Sequence, residues 1–187
     1  MDHLVIPLDP DHVDALQELV ERAAAAAELD PLPSPLNPHV TLMAYTGLSP
    51  ADVSAAIEPV AASTAPFTIH AHGYGFFTGS EPSDISLHVP VVRCGPLDAL
   101  HRHLCSALRD AGGEVATWSA REMWSPHITL LDRQLDAARL GRATARLAQR
   151  HHPSWHIPVD RVALTGGWPE RDRCDAVLTL GAPTARR

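Results

Sequence analysis

Pro38-His39-Val40-Thr41-Leu42 and Pro126-His127-Ile128-Thr129-Leu130 are one five-residue phrase written twice, 88 residues apart in a chain of 187. Valine, isoleucine and threonine favour strands, and a strand turns successive side chains to opposite faces. His39 and Thr41 therefore share a face opposite Val40 and Leu42, and His127 and Thr129 share one opposite Ile128 and Leu130. A proline just before each histidine suits the first position of a strand or an edge, because it cannot donate to the ladder. A second copy arises by chance in such a chain on the order of once in several hundred cases. Each phrase encodes a half-polar strand that sets an imidazole beside a hydroxyl.

Other features recur at a similar offset. Val13-Asp14-Ala15-Leu16 is echoed by Leu97-Asp98-Ala99-Leu100, and each opens a helical pattern after a strand-like run, Leu4 to Leu8 and Ile85 to Val89. A helix-forming stretch follows each phrase, at 50–62 and 135–150, and then Phe67-Thr68-Ile69 and Trp155-His156-Ile157 read as strands. Asp175 to Leu180 reads as a closing strand. The expected fold class is α+β: two lobes related by a pseudo-twofold axis, each an antiparallel sheet with flanking helices, and a cleft between them. Residues 1–187 form a single domain in this reading, with halves at about 1–83 and 84–187. The first helix starts at Pro10 or Asp11 and stops at Asp30-Pro31, residues 30–38 form a proline-stiffened loop, and Gly112-Gly113 stops the second-half equivalent. Thr184 to Arg187 is expected to fray.

Composition narrows the function. With 45% hydrophobic and 20% charged residues the chain is of ordinary globular make-up, and no apolar run approaches a membrane span. The start, Met1-Asp2-His3-Leu4, lacks a basic leader region, so a cytoplasmic protein is expected. Cys94, Cys105 and Cys174 form no CxxC pair and read as buried small hydrophobes. A net charge of −7 argues against a grip on long nucleic acid, where phosphate neutralisation supplies most of the affinity. It leaves a small phosphorylated substrate or one RNA end as partner, and a monomer as the expected state.

A twofold axis would bring both phrases to one cleft. Histidine's ordinary pKa near 6.5 lets one imidazole act as base and the other as acid, each contributing about a hundredfold or more. Thr41 and Thr129 can donate to non-bridging phosphate oxygens and hold the phosphorus between the histidines. In-line cleavage of a phosphodiester needs this set and no metal or other cofactor. Which histidine takes which role stays open, because the two phrases are equivalent.

With these residues in view, the chain resembles the 2H phosphoesterase superfamily, which includes the 2'-5' RNA ligase and RNA 2',3'-cyclic phosphodiesterase proteins. The resemblance rests on His39-Val40-Thr41-Leu42 and His127-Ile128-Thr129-Leu130 as its two His-x-Thr motifs, and on the lobe order. It implies a bilobal α+β fold, both motifs facing a central cleft, and metal-independent hydrolysis of cyclic phosphates, often at RNA ends. His39, Thr41, His127 and Thr129 carry over as the catalytic set. Many RNA-processing members place a basic residue soon after the second motif, and here Arg133 stands one place later, behind Asp132. The alternatives are hydrolysis of small cyclic nucleotides or 2'-5' linked oligonucleotides, the reverse ligation, and a nucleotide-binding module without turnover.

A nucleoside needs a stacking surface, which makes the aromatic residues candidates. Trp118 and Trp124 bracket the approach to the second motif with Arg121 between them, and Tyr45 falls on Thr41's face by two steps of two. These four and Arg133 are the expected substrate contacts, with core packing the competing account of each tryptophan. Phe76, Phe77 and Trp168 read as core or lobe contacts. Among the twelve histidines, His101 with Cys105 at i and i+4 suits a solvated helix face better than a metal site. His70 and His72 share a strand face but lack a third ligand, and read as exposed polar residues along the cleft. His151-His152 suits a helix end. No G-x-S-x-G elbow or phosphate-binding loop is present.

Overall fold

A computed structural model describes residues 1–29, 38–149, 152–166 and 173–181. In chain order the elements are β1 (Asp2–Pro7), α1 (Pro10–Ala26), β2 (His39–Thr46), α2 (Pro50–Ser63), β3 (Phe67–His72), β4 (Gly75–Thr78) and β5 (Ile85–Val92). After them come α3 (Gly95–Asp110), β6 (Glu114–Val115), a 3-10 turn at Thr117–Ser119, β7 (His127–Leu135), α4 (Ala137–Ala148), β8 (Ser154–Val159), β9 (Arg161–Thr165) and β10 (Cys174–Thr179). Local chemistry sets the helix starts. Asp9, Ser49 and Asp136 each accept a hydrogen bond from a backbone N–H in the first turn of α1, α2 and α4, and Pro10 and Pro50 occupy first-turn positions where no N–H is needed.

The strands form one curled antiparallel sheet in the order β10-β9-β1-β2-β7-β5-β3-β8, with β4 on β5 and β6 on β2. Its centre is the β2–β7 junction, where Val40 pairs with Ile128. The face carrying Leu4, Ile6, Val40, Leu42, Leu87, Val89, Ile128 and Leu130 packs into a single apolar core beneath the helices. Because side chains alternate, His39, Thr41, His127 and Thr129 are left on the opposite face.

The expected α+β architecture with its twofold repeat is present, but the sequence halves do not coincide with the two sides of the sheet. Helix α1 packs on α4 and β7, α2 packs on α3, β9 and β10, and β3 pairs with β5 from the second half. Phe67-Thr68-Ile69 and Trp155-His156-Ile157, aligned in sequence as equivalents, instead pair with each other as β3 and β8. On its side away from β2, β1 pairs with β9, a Val-Ala-Leu strand. Cys105 is buried as expected, whereas Cys174 is exposed on the edge strand β10. Trp168, His151, the loop at 30–37 and the tail from 182 lie outside the described residues. No helix among the described residues is long and apolar enough to cross a membrane.

Candidate active site

The repeat becomes tangible in the ladder registers. Pro7 pairs with His39 and Val5 with Thr41, while Pro90 pairs with His127 and His88 with Thr129. Leu4-Val5-Ile6-Pro7 and Leu87-His88-Val89-Pro90 are thus equivalent, two residues further along than the run Ile85 to Val89 suggests. Both motif strands also bulge at the same place. Leu4 and Val5 face Met43 and Thr41, so Leu42 is an extra residue, and Leu87 and His88 face Leu131 and Thr129, so Leu130 is another.

Between the two bulges lies the motif pair. The single Val40–Ile128 pairing brings the His39–Thr41 face of β2 beside the His127–Thr129 face of β7 at the middle of the sheet. All four residues are half-buried. Such a quartet can bind one phosphate between two imidazoles.

His127 has a defined tautomer. Its Nδ1 lies 2.8 Å from the Ser125 carbonyl oxygen, which only accepts, so Nδ1 carries the hydrogen and the neutral ring keeps its lone pair on Nε2. Burial holds the imidazole below its ordinary pKa, against the opposing pulls of Ser125 and Asp132. A neutral ring with an open Nε2 is a base.

Two further residues crowd this side of the site. Phe77, expected as a core or lobe contact, is 39% exposed and lies edge-on to His127 with ring centroids 4.9 Å apart. It stacks on His88 at 4.2 Å, and the His88 ring is 5.0 Å from that of His127. His88 is 5% exposed, and its Nδ1 is buried without a hydrogen-bond partner among the described residues. Burial, and then the charge of His127, push the His88 imidazole down to about 4. The sequence marks neither residue as a site candidate. The true equivalence of Val5 with His88 would have pointed to it, since a histidine replaces a valine in an otherwise matched apolar strand.

The expected substrate contacts divide. The Leu42 bulge resets the alternation of β2, so Tyr45 turns to the core face, is 1% exposed, and is not beside Thr41. Trp124 is also buried: it stacks on His101 at 4.0 Å and donates from Nε1 to the Thr41 carbonyl at 3.0 Å. His101 is consequently not on a solvated helix face. Its Nε2 reaches the Ser119 carbonyl at 3.0 Å, and burial lowers its pKa.

Arg121 lines a cavity of about 370 Å³ with His101, Arg102, Cys105 and Arg109 on the α3 side, away from the motif residues. Arg133 is held by Asp84 through two hydrogen bonds of 2.6 Å, in a left-handed backbone conformation with φ of 54°. It is thus engaged at the β5 end rather than aimed at the quartet. Trp118 alone of the aromatic candidates is exposed, and it meets His3 edge-on at 6.4 Å. His3 pairs with Ala44 and shares Val5's face of β1, so this tryptophan borders the motif face.

His70 and His72 do gain a third histidine, as His156 stacks on His70 at 4.6 Å across β3 and β8. No group of histidine, cysteine or acidic side chains among the described residues has the arrangement of a metal site.

Comparison with known proteins identifies the family and the fold. Residues 9–166 match the family model of the 2'-5' RNA ligase superfamily. The sequence has no significant match among curated proteins. The crystal structure of TT0787 of Thermus thermophilus superposes with a TM-score of 0.67 at 19% identity, covering 98% of this chain and 100% of that one. E. coli LigT complexed with 3'-AMP superposes with a TM-score of 0.55 at 18% identity, covering 96% and 94%.

Proposed function

The chain belongs to the 2'-5' RNA ligase superfamily, and from that premise we propose that it is a metal-independent phosphodiesterase that opens cyclic phosphodiesters, foremost the 2',3'-cyclic phosphate of an RNA end. The observation that carries this reading is the pairing of Val40 with Ile128 at the centre of the sheet, which sets two imidazoles and two hydroxyls, His39, Thr41, His127 and Thr129, side by side on one face.

In this mechanism the cyclic phosphate sits over the β2–β7 junction, and the Thr41 and Thr129 hydroxyls donate to its non-bridging oxygens. His127 Nε2 takes a proton from a water as the water oxygen bonds to phosphorus. His39, protonated, gives its proton to the ribose oxygen as the phosphorus–oxygen bond on the far side breaks. The product is an open phosphomonoester with a free ribose hydroxyl, and solvent returns both imidazoles to their starting states. The exposed face of Phe77 supplies a surface for the nucleobase. LigT carrying 3'-AMP, a nucleoside bearing a ribose phosphate, supports a ligand of this kind.

A small cyclic nucleotide or a 2'-5' linked dinucleotide is the second reading. It is favoured by Arg133, whose guanidinium is taken up by Asp84 instead of extending a basic track for RNA.

The test is a panel of 2',3'-cyclic mononucleotides, cyclic-ended RNA and 2'-5' linked dinucleotides, assayed with EDTA. Turnover is expected with EDTA present, and His39→Ala and His127→Ala are each expected to lose about a hundredfold or more. Near wild-type turnover by either variant, or complete dependence on added metal, would overturn the mechanism.

A further inference from the structure

The two motifs are equivalent in sequence and in register, yet their surroundings are not. Pro7 matches Pro90, Ile6 matches Val89 and Leu4 matches Leu87, and each pair makes the same kind of neighbour to its motif strand. The exception is Val5, beside Thr41, against His88, beside Thr129. Val5 is as buried as His88, so the site does not demand a polar side chain on packing grounds. An imidazole there leaves a buried nitrogen without a hydrogen-bond partner among the described residues, a state that is rare in folded proteins and calls for an explanation.

Room for the ring has been made specifically. A Cβ on Gly75, the β4 partner of His88, would come within 2.5 Å of His88 Nε2, so the imidazole occupies the space over that glycine. Phe77, two residues on and on the same face, closes over it and reaches His127 edge-on. The result is a packed trio of rings, His88, Phe77 and His127, built on a histidine where the equivalent position beside Thr41 holds Val5.

We propose that His88 is a positioning residue: a wedge that fixes the His127 ring and the Phe77 platform, and so makes the two chemically matched motifs unequal. This rests on the reading of His127 as a catalytic base. Its effect follows from burial and charge. His88 covers part of the His127 ring from water, and His127 stays neutral and ready to accept a proton. Once His127 is protonated, its charge opposes a second proton on His88, so the proton taken from the nucleophile stays at the cleft. Around His127 are His88 and Pro90 from β5, the His39–Thr41 face of β2 and Phe77 from β4, with the Ser125 carbonyl and Asp132 pulling the other way on its own segment.

The experiment follows the His127 imidazole by NMR through a pH titration in wild type, His88→Val and Gly75→Ala, beside the pH dependence of kcat on a 2',3'-cyclic mononucleotide. His88→Val installs the side chain of the equivalent position. The His127 midpoint is expected to rise toward that of an exposed imidazole, the acid limb of kcat to move with it, and kcat to fall about tenfold or more with KM little changed. Gly75→Ala keeps His88 but displaces its ring, and is expected to move the His127 resonances and lower kcat as well. If His88→Val does not fold, Gly75→Ala decides. Identical His127 titrations in the folded proteins overturn the proposal, as does a loss of stability with the titration unchanged. If the titration moves but wild type opens no cyclic phosphate, positioning stands and the proposed function fails.

Discussion

The indole Nε1–H of Trp124 donates to the carbonyl oxygen of Thr41 at 3.0 Å, a bond spanning 83 residues of sequence from the approach of one motif to the heart of the other. Trp124 is itself held by stacking on His101 and by the Arg93 guanidinium, 5.5 Å from its ring. The second-motif loop thereby clamps the first-motif strand. Trp124→Phe keeps most of the packing and removes the bond, leaving the Thr41 carbonyl without this partner. A stability loss of about 1 kcal/mol is expected in urea unfolding, and kcat is expected to fall because Thr41 is no longer held.

Thr41→Val and Thr129→Val retain the β-branched shape and delete the hydroxyl. Each is expected to lower kcat on the order of a hundredfold, the usual cost of losing one donor to developing charge. Steady-state kinetics on a cyclic mononucleotide measures it. A variant that loses only KM would place its threonine in ground-state binding instead.

Phe77→Ala removes the exposed ring next to His127. Base stacking is worth about 1–3 kcal/mol, so KM for a cyclic nucleotide is expected to rise about tenfold or more. A ribose cyclic phosphate lacking a base is expected to show no such rise, and an equal effect on both substrates would remove Phe77 from base recognition.

Tyr45→Phe tests the residue that turned inward. Its hydroxyl is buried with no partner among the described residues, and burial pushes its pKa up to about 12. Deleting that oxygen is expected to raise stability by about 1 kcal/mol and to leave kcat and KM unchanged. A raised KM would return Tyr45 to the substrate site.

Acid is expected to destabilise the fold before carboxylates titrate. His88, His101 and His127 all have folded pKa values below 6.5, so on acidification the unfolded chain binds their protons first and the equilibrium shifts toward it. His88, at about 4, contributes a loss that accumulates from pH 6.5 downward and levels off near 4, on the order of 3 kcal/mol in all. The fall in Tm between pH 7 and pH 5 is expected to be smaller in His88→Val than in wild type.

The chain's local patterns carried far. Alternating apolar and polar residues around His39 and His127 specify two half-polar strands, because only one face of such a strand can enter a core. The capping residues Asp9, Ser49 and Asp136 mark three helix starts. The doubled motif announces the twofold repeat, and with it the family and the class of chemistry.

What tertiary structure decided was whatever depends on which strand lies beside which. A bulge is invisible in alternation until the partner strand is known, and the Leu42 bulge is what sent Tyr45 to the core. Partner choice likewise set β9 beside β1 and paired β3 with β8, and brought Phe77 and His88, adjacent to neither motif in sequence, against His127. The sequence alone therefore determined a pair of equal His-x-Thr strands, since side-chain periodicity is a local property of the backbone. The structure made them unequal, since burial and charge around an imidazole come from neighbours that only cross-strand pairing can supply.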